Sequence, residues 1–345
     1  MTGYERIITT LKGGTADRVP MMLHSFMAAA NEAGYTMEEY RSDPQKIADA
    51  HIRFAEKYST DGILLDIDTC MEASAIGVPT DYPEHEPARV TGPLSSDVST
   101  LLDAMKPEKL LHSKRVDINL KAVRLIKRQI GGDLLLRGNC DQAGFSLAML
   151  AYGMNDFMAD LLDEDLEDDL LALIDHATDV HIAFHKMMIQ AGADVTSFGD
   201  SACGPDLISR DMYLKYSFPF HQKIARALRE EGIPVICHIC GNLDRILADV
   251  CRAGFPAVEA DYKTNIPQAA GILRDANVVM FGPIDPSGLF YFGTPEQMCA
   301  ETQSVLNIFQ GKQLVIGAGC ALPSGTPERN IRAFTETVRA YPMPG

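Results

Sequence analysis

Short apolar runs alternate with longer stretches of helical periodicity along the chain. Eight runs read as strands: Val19–Leu23, Gly62–Ile67, Leu134–Arg137, Asp194–Phe198, Pro234–Ile239, Ala257–Ala260, Val278–Phe281 and Leu314–Gly317. Most are continuously apolar, as expected of parallel strands covered on both faces. Between them the spacing predicts helices, among them Pro44–Tyr58, Val116–Gln129, Asp156–Gln190, Pro219–Glu231 and Thr294–Gln310. Thr294-Pro295-Glu296 reads as a helix start: a Thr cap, proline at the first helical position and an acid in the first turn. Thr326-Pro327-Glu328 repeats that signal before the last helix. Eight strands with intervening helices predict an α/β chain folded as a (β/α)8 TIM barrel. The stretch Thr69–Gly132 exceeds a simple crossover, which predicts an insertion between the second and third strands. No low-complexity linker divides the chain, so one domain over 1–345 is expected; a doubly wound open sheet is the alternative.

Composition narrows the partners. The chain has 345 residues, with 31 Lys+Arg against 47 Asp+Glu, a formal net charge of −16. Such a charge argues against nucleic acid or an anionic membrane, because phosphate contacts need clustered Lys and Arg. With 46% hydrophobic and 23% charged residues, the chain is neither disordered nor fibrous. No apolar run of about 18 residues appears, so no membrane span is expected. The opening Met1–Arg6 lacks the apolar segment of a signal peptide. Eight scattered cysteines in a chain of this size predict reduced thiols in the cytoplasm, some of them metal ligands. The acidic run Asp160–Asp169 reads as a solvated helix face.

The sharpest chemistry lies in Cys237-His238-Ile239-Cys240-Gly241-Asn242. Residues two apart on a strand point the same way, so His238 and Cys240 present an imidazole and a thiolate to one point. They end the fifth candidate strand, at the face where barrel enzymes keep their active sites. Cys237 is expected to face away, into the core. A third ligand must come from another strand end, and Cys320 follows Gly317-Ala318-Gly319 at the end of the eighth. One imidazole and two thiolates are a donor set suited to Zn²⁺, and three protein ligands leave one position open for catalysis.

Carboxylates also gather at strand ends: Asp66, Asp68, Asp200, Glu259, Asp261 and Asp285, with Glu72 close behind. Glu72 and Asp200 are the preferred catalytic pair. Cys140 and Cys203 are candidates for lining the same mouth. His181 and His185 share a helix face, but the helices form a barrel's outer ring, so no metal role is expected of them. Neither a phosphate-cradling loop nor a nucleophile elbow appears.

The sequence resembles the uroporphyrinogen decarboxylase superfamily over nearly its whole length. The matching marks are Asp17-Arg18-Val19-Pro20, Phe145-Ser146-Leu147-Ala148, Asp285-Pro286 and Gly293-Thr294-Pro295-Glu296. The true decarboxylases carry an arginine-rich segment after the first strand to hold substrate carboxylates. Here that stretch is Met21–Ala28, without arginine. The chain looks closer to the cobamide-dependent methyltransferase branch, which includes methylcobamide:coenzyme M methyltransferases. That branch's His-x-Cys and distant Cys fall on His238, Cys240 and Cys320, and its Glu-Ala on Glu72-Ala73. The resemblance implies a methyltransferase using Zn²⁺ and a methylcobamide carried by a partner corrinoid protein, with a small acceptor or donor such as the thiol coenzyme M. The alternative is a decarboxylase of a smaller acid.

Overall fold

The structure, a computed structural model, describes residues 1–343. Seven strands form one parallel, curled sheet in chain order: β1 (Gly62–Leu65), β2 (Leu135–Asn139), β3 (Val195–Gly199), β4 (Val235–Ile239), β5 (Ala257–Ala260), β6 (Val279–Ile284) and β7 (Leu314–Ala318). The first candidate strand is corrected. Val19–Leu23 contributes one bridge, Met21 with Ile316, and no ladder. Pro20 has no N–H to give a ladder, and its carbonyl instead accepts the Ile316 N–H at 2.9 Å. On the other side, the Met21 carbonyl accepts the Asp61 N–H at 2.9 Å, just before β1. The segment thus hydrogen-bonds toward both edge strands.

Between β1 and β2 lie three short helices (Met71–Ile76, Val98–Ala104, Glu108–Leu111), a two-residue antiparallel pair and the long helix Lys114–Ile130. The helix Pro44–Tyr58 spans the predicted residues, with Asp43 capping it through the Gln45 N–H. Thr294 caps its helix in a reciprocal box with Gln297. At the last helix the expectation fails by one residue. The helix starts at Glu328, because the Thr326 hydroxyl is spent on the Pro323 carbonyl at 2.7 Å. The predicted helix Asp156–Gln190 is broken into Met154–Asp160 and Glu167–Ala191, and the acids Glu167, Asp168 and Asp169 lie in the first turn of the second piece. Negative charge there complements the helix dipole.

The strand period sets what fills the sheet's interior. Leu64, Leu135, Val195, Ile236, Ala257 and Val315 form one apolar layer with Ile7 and Met22. The N-terminal helix Gly3–Leu11 seals it, packing Tyr4, Ile8 and Leu11 against it. Full burial of each Leu, Ile, Val or Met side chain among them stabilises by roughly 1.5–3 kcal/mol. Two residues further along the first five strands, the interior turns polar: Asp66, Arg137, Ser197, His238 and Glu259 follow Leu64, Leu135, Val195, Ile236 and Ala257. The opposite face of β4, with Val235, Cys237 and Ile239, is buried in the main core under the helices.

Candidate metal centre

His238 stands beside Glu259 and Gly199 in the register of the neighbouring strands. Its Nδ1 donates to the Glu259 carbonyl at 3.1 Å, which leaves Nε2 facing the Cys240 sulfur, also at 3.1 Å. A backbone carbonyl on one ring nitrogen orients the other toward a metal. After Cys240 the chain turns sharply at Gly241, whose φ of +90° suits glycine. The Gly241 N–H donates to Asp261 Oδ2 at 2.9 Å, fixing the turn. Cys320 arrives from the end of β7. The donor atoms of His238, Cys240 and Cys320 all lie within 4.8 Å of one another. All three residues are half-buried. Cys237, as expected, is fully buried on the opposite face.

The three protons are unequally held. The Cys320 thiol's hydrogen bond, outweighing burial and joined by the His238 charge, lowers the Cys240 thiol to about 3. Ser201 adds its hydroxyl, donating to the Cys240 sulfur at 3.1 Å. Cys320 is correspondingly raised, by donating to Cys240 and by burial. Burial works against a charged His238, yet the neighbouring Cys240 thiolate raises it to about 10. Without a metal, the trio is therefore a thiolate gripped by an imidazolium and a thiol.

The two preferred carboxylates make their contacts elsewhere. Asp200 is fully buried: Oδ1 accepts the Ser146 N–H at 2.8 Å and Oδ2 pairs with His221 Nε2 at 2.9 Å. Its Oδ1 contact starts the helix Gly144–Tyr152. Glu72 is also fully buried, with Oε1 on His181 Nδ1 at 2.8 Å. His181 Nε2 meets His185 Nε2 at 2.9 Å, and His185 Nδ1 meets the Thr196 hydroxyl at 2.7 Å. Burial, then the nearby Asp141, pushes Glu72 well above the usual carboxylate range. Cys203 donates to the Asp200 carbonyl, and Cys140 is buried in the main core. Neither thiol lines the cluster.

Three interior groups were not singled out from the sequence. Arg137 is buried and paired with Glu259, and it lies over the Phe281 ring. His24 pairs with Asp66 at 2.7 Å. Asp141 accepts the Gly199 N–H on Oδ1 at 2.7 Å. Burial, then the Asp66 charge, raises Asp141 to about 7, and it also feels His238 and Cys240. Strand parity was the available signal: Arg137 and His24 each lie two residues beyond an interior apolar residue.

Residues 2–341 match the family model described as uroporphyrinogen decarboxylase (URO-D). The chain belongs to this family. Within it, the chain is 28% identical to the methylcobamide:CoM methyltransferase MtbA of Methanosarcina mazei, over 99% of each chain. It is 27% identical to a methylated-thiol–coenzyme M methyltransferase of the same organism, over 100% of this chain and 91% of the relative. A solved methyltransferase from Methanosarcina mazei superposes with a TM-score of 0.90 at 23% identity, covering 98% of both chains. The likeness thus runs toward corrinoid-dependent methyl transfer. Among the described residues, no helix is long and apolar enough to cross a membrane.

Proposed function

We propose that this chain is a zinc-dependent methyltransferase moving a methyl group between methylcobamide on a corrinoid protein and a small acceptor, a thiol. The observation that carries the reading is the convergence of His238, Cys240 and Cys320, with Nε2 of His238 turned to the sulfurs. Zinc is the fitting ion for one imidazole and two thiolates, and when bound it supplies Lewis acidity that keeps a substrate thiol deprotonated near neutral pH. Seven strands, with Val19–Leu23 across the gap, read in this proposal as a (β/α)8 barrel whose mouth holds the site.

This chain's residues set the conditions for the transfer. Cys240 and Cys320 bring negative charge, which keeps a bound sulfur electron-rich. Glu259 orients His238 through its carbonyl. With methylcobamide as donor, the substrate sulfur would take the methyl carbon and the electron pair of the broken bond would stay with the corrinoid. Asp200 and Glu72 are positioning residues here: Asp200 anchors the loop that carries Ser201 to Cys240, and Glu72 sits behind Asp141.

A carboxylate-rich substrate finds little support. The guanidinium inside the sheet, Arg137, is already paired with Glu259, and His24 with Asp66. The test is zinc content and methyl transfer from methylcobalamin to a thiol, before and after Cys320→Ser. About one zinc per chain, lost together with transfer in the variant, supports the reading. Carbon dioxide release without metal overturns it.

A further inference from the structure

The charges around the centre are nearly all matched within the chain. Asp66 has His24, Glu259 has Arg137, and Asp68 has Arg115. Asp261 spends its oxygens on the Gly241 and Lys263 N–H groups, at 2.9 and 3.1 Å. Lys263 itself leans to Asp206, at 3.8 Å. Asp141 differs. Its Oδ1 is held by the Gly199 N–H, and a Cβ at Gly199 would lie 2.3 Å from that oxygen, so the carboxylate is pressed on the end of β3. Gly199 is the register partner of His238, which places Asp141 one strand from the cluster. Its Oδ2 makes no hydrogen bond among the described residues, and the residue is half-buried.

We propose that Asp141 selects the methyl acceptor, its free Oδ2 taking an ammonium or hydroxyl group on a small thiol and disfavouring one with an anionic head. The inference rests on the thiol reading above. It departs from the relatives named for coenzyme M, because among the described residues the nearby cationic groups His24, Arg137 and His238 are each engaged. A built carboxylate with one free oxygen discriminates strongly, since the wrong partner leaves it unpaired or opposed by like charge. At the effective dielectric of such a site, a like charge several ångströms away costs on the order of tenfold in affinity or more.

The test is calorimetric titration of the zinc-loaded protein at about pH 8.5, above the value of about 7 to which burial raises Asp141, with cysteamine, 2-mercaptoethanol and 2-mercaptoethanesulfonate. Cysteamine is expected to bind at least about tenfold more tightly than the sulfonate, with the alcohol between. Asp141→Asn keeps an oxygen for the Gly199 N–H, and it should shrink that ratio to within about threefold at unchanged zinc content. Because each thiol is compared with itself across the two proteins, differences in thiol acidity cancel. Equal or tighter binding of the sulfonate by the unaltered protein overturns the inference, as does a ratio indifferent to Asp141→Asn; both leave methyl transfer standing. Binding of no thiol overturns both.

Discussion

His238, Cys240 and Cys320 at the carboxyl end of the sheet, and Asp200, Cys203 and His221 behind it, are both triads whose donor atoms lie within 4.8 Å of one another. Residue types barely separate them. Commitment of lone pairs and protons does. In the buried triad, Asp200 holds the Ser146 amide and His221, Tyr213 meets His221 Nδ1 at 3.1 Å, and Cys203 donates to a carbonyl. Each of the three side chains has a partner in the chain, as a buried network must to avoid a large desolvation cost. In the half-buried triad the sulfurs and Nε2 face mainly one another. Such a cluster is satisfied only by protons or by a metal, and each of its members is partly exposed. A set of donors becomes a site when the fold leaves the donors facing each other and open to one side.

The largest expected effect separates the two triads. Cys320→Ser should lower zinc affinity by more than about a hundredfold, read by chelator competition, with little change in thermal stability of the metal-free protein. Retained zinc would show that the half-buried triad is not the metal centre. Next comes the converse variant. Asp200→Ala leaves His221 buried without its partner and frees the Ser146 amide. A loss of about 3–5 kcal/mol is expected, hence a melting temperature lower by roughly 4–7 °C. Zinc content should persist in the folded fraction; its loss would make the buried triad more than scaffold.

A third measurement reads the protons directly. At pH 7.5 Cys240, at about 3, is already a thiolate, whereas His238, at about 10, and the raised Cys320 each keep a proton. Zinc must displace both, so titration in buffers of different ionisation enthalpy should show roughly two protons released per zinc. Release should fall toward one as the pH rises through about 10, where His238 is already neutral. Release of none would break the imidazolium–thiolate picture. The smallest effect concerns Ser201. Removing its hydroxyl in Ser201→Ala costs the Cys240 sulfur one hydrogen bond, worth about 1 kcal/mol, so zinc affinity should drop by roughly tenfold or less. A greater drop would mean Ser201 does more than tune the sulfur.

The convergence of His238, Cys240 and Cys320 was legible because its logic is local. His238 and Cys240 lie two apart at the end of an apolar run, so the strand period alone sends them one way. Cys320 follows another apolar run at the glycines that let the backbone close in. Helix starts followed the same rule where the cap was free, as at Thr294, and failed by one residue where a hydroxyl found a nearer acceptor, as at Thr326. Much of the rest depended on closure of the sheet. Val19–Leu23 has the composition of a strand, but Pro20 and its place between two edges allow it only one bridge. Parity says that Arg137, Glu259, His24 and Asp66 face inward. It does not say that Arg137 pairs with Glu259 and His24 with Asp66, while Asp141 Oδ2 is left without a hydrogen bond among the described residues. Likewise, nothing near Glu72 in sequence announces His181, which lies 109 residues away. The sequence by itself determined which residues face inward, because that is a property of a single strand. Which of them neutralise one another, and which face a ligand, only the tertiary structure decided, because those pairings join strands and helices distant in the chain.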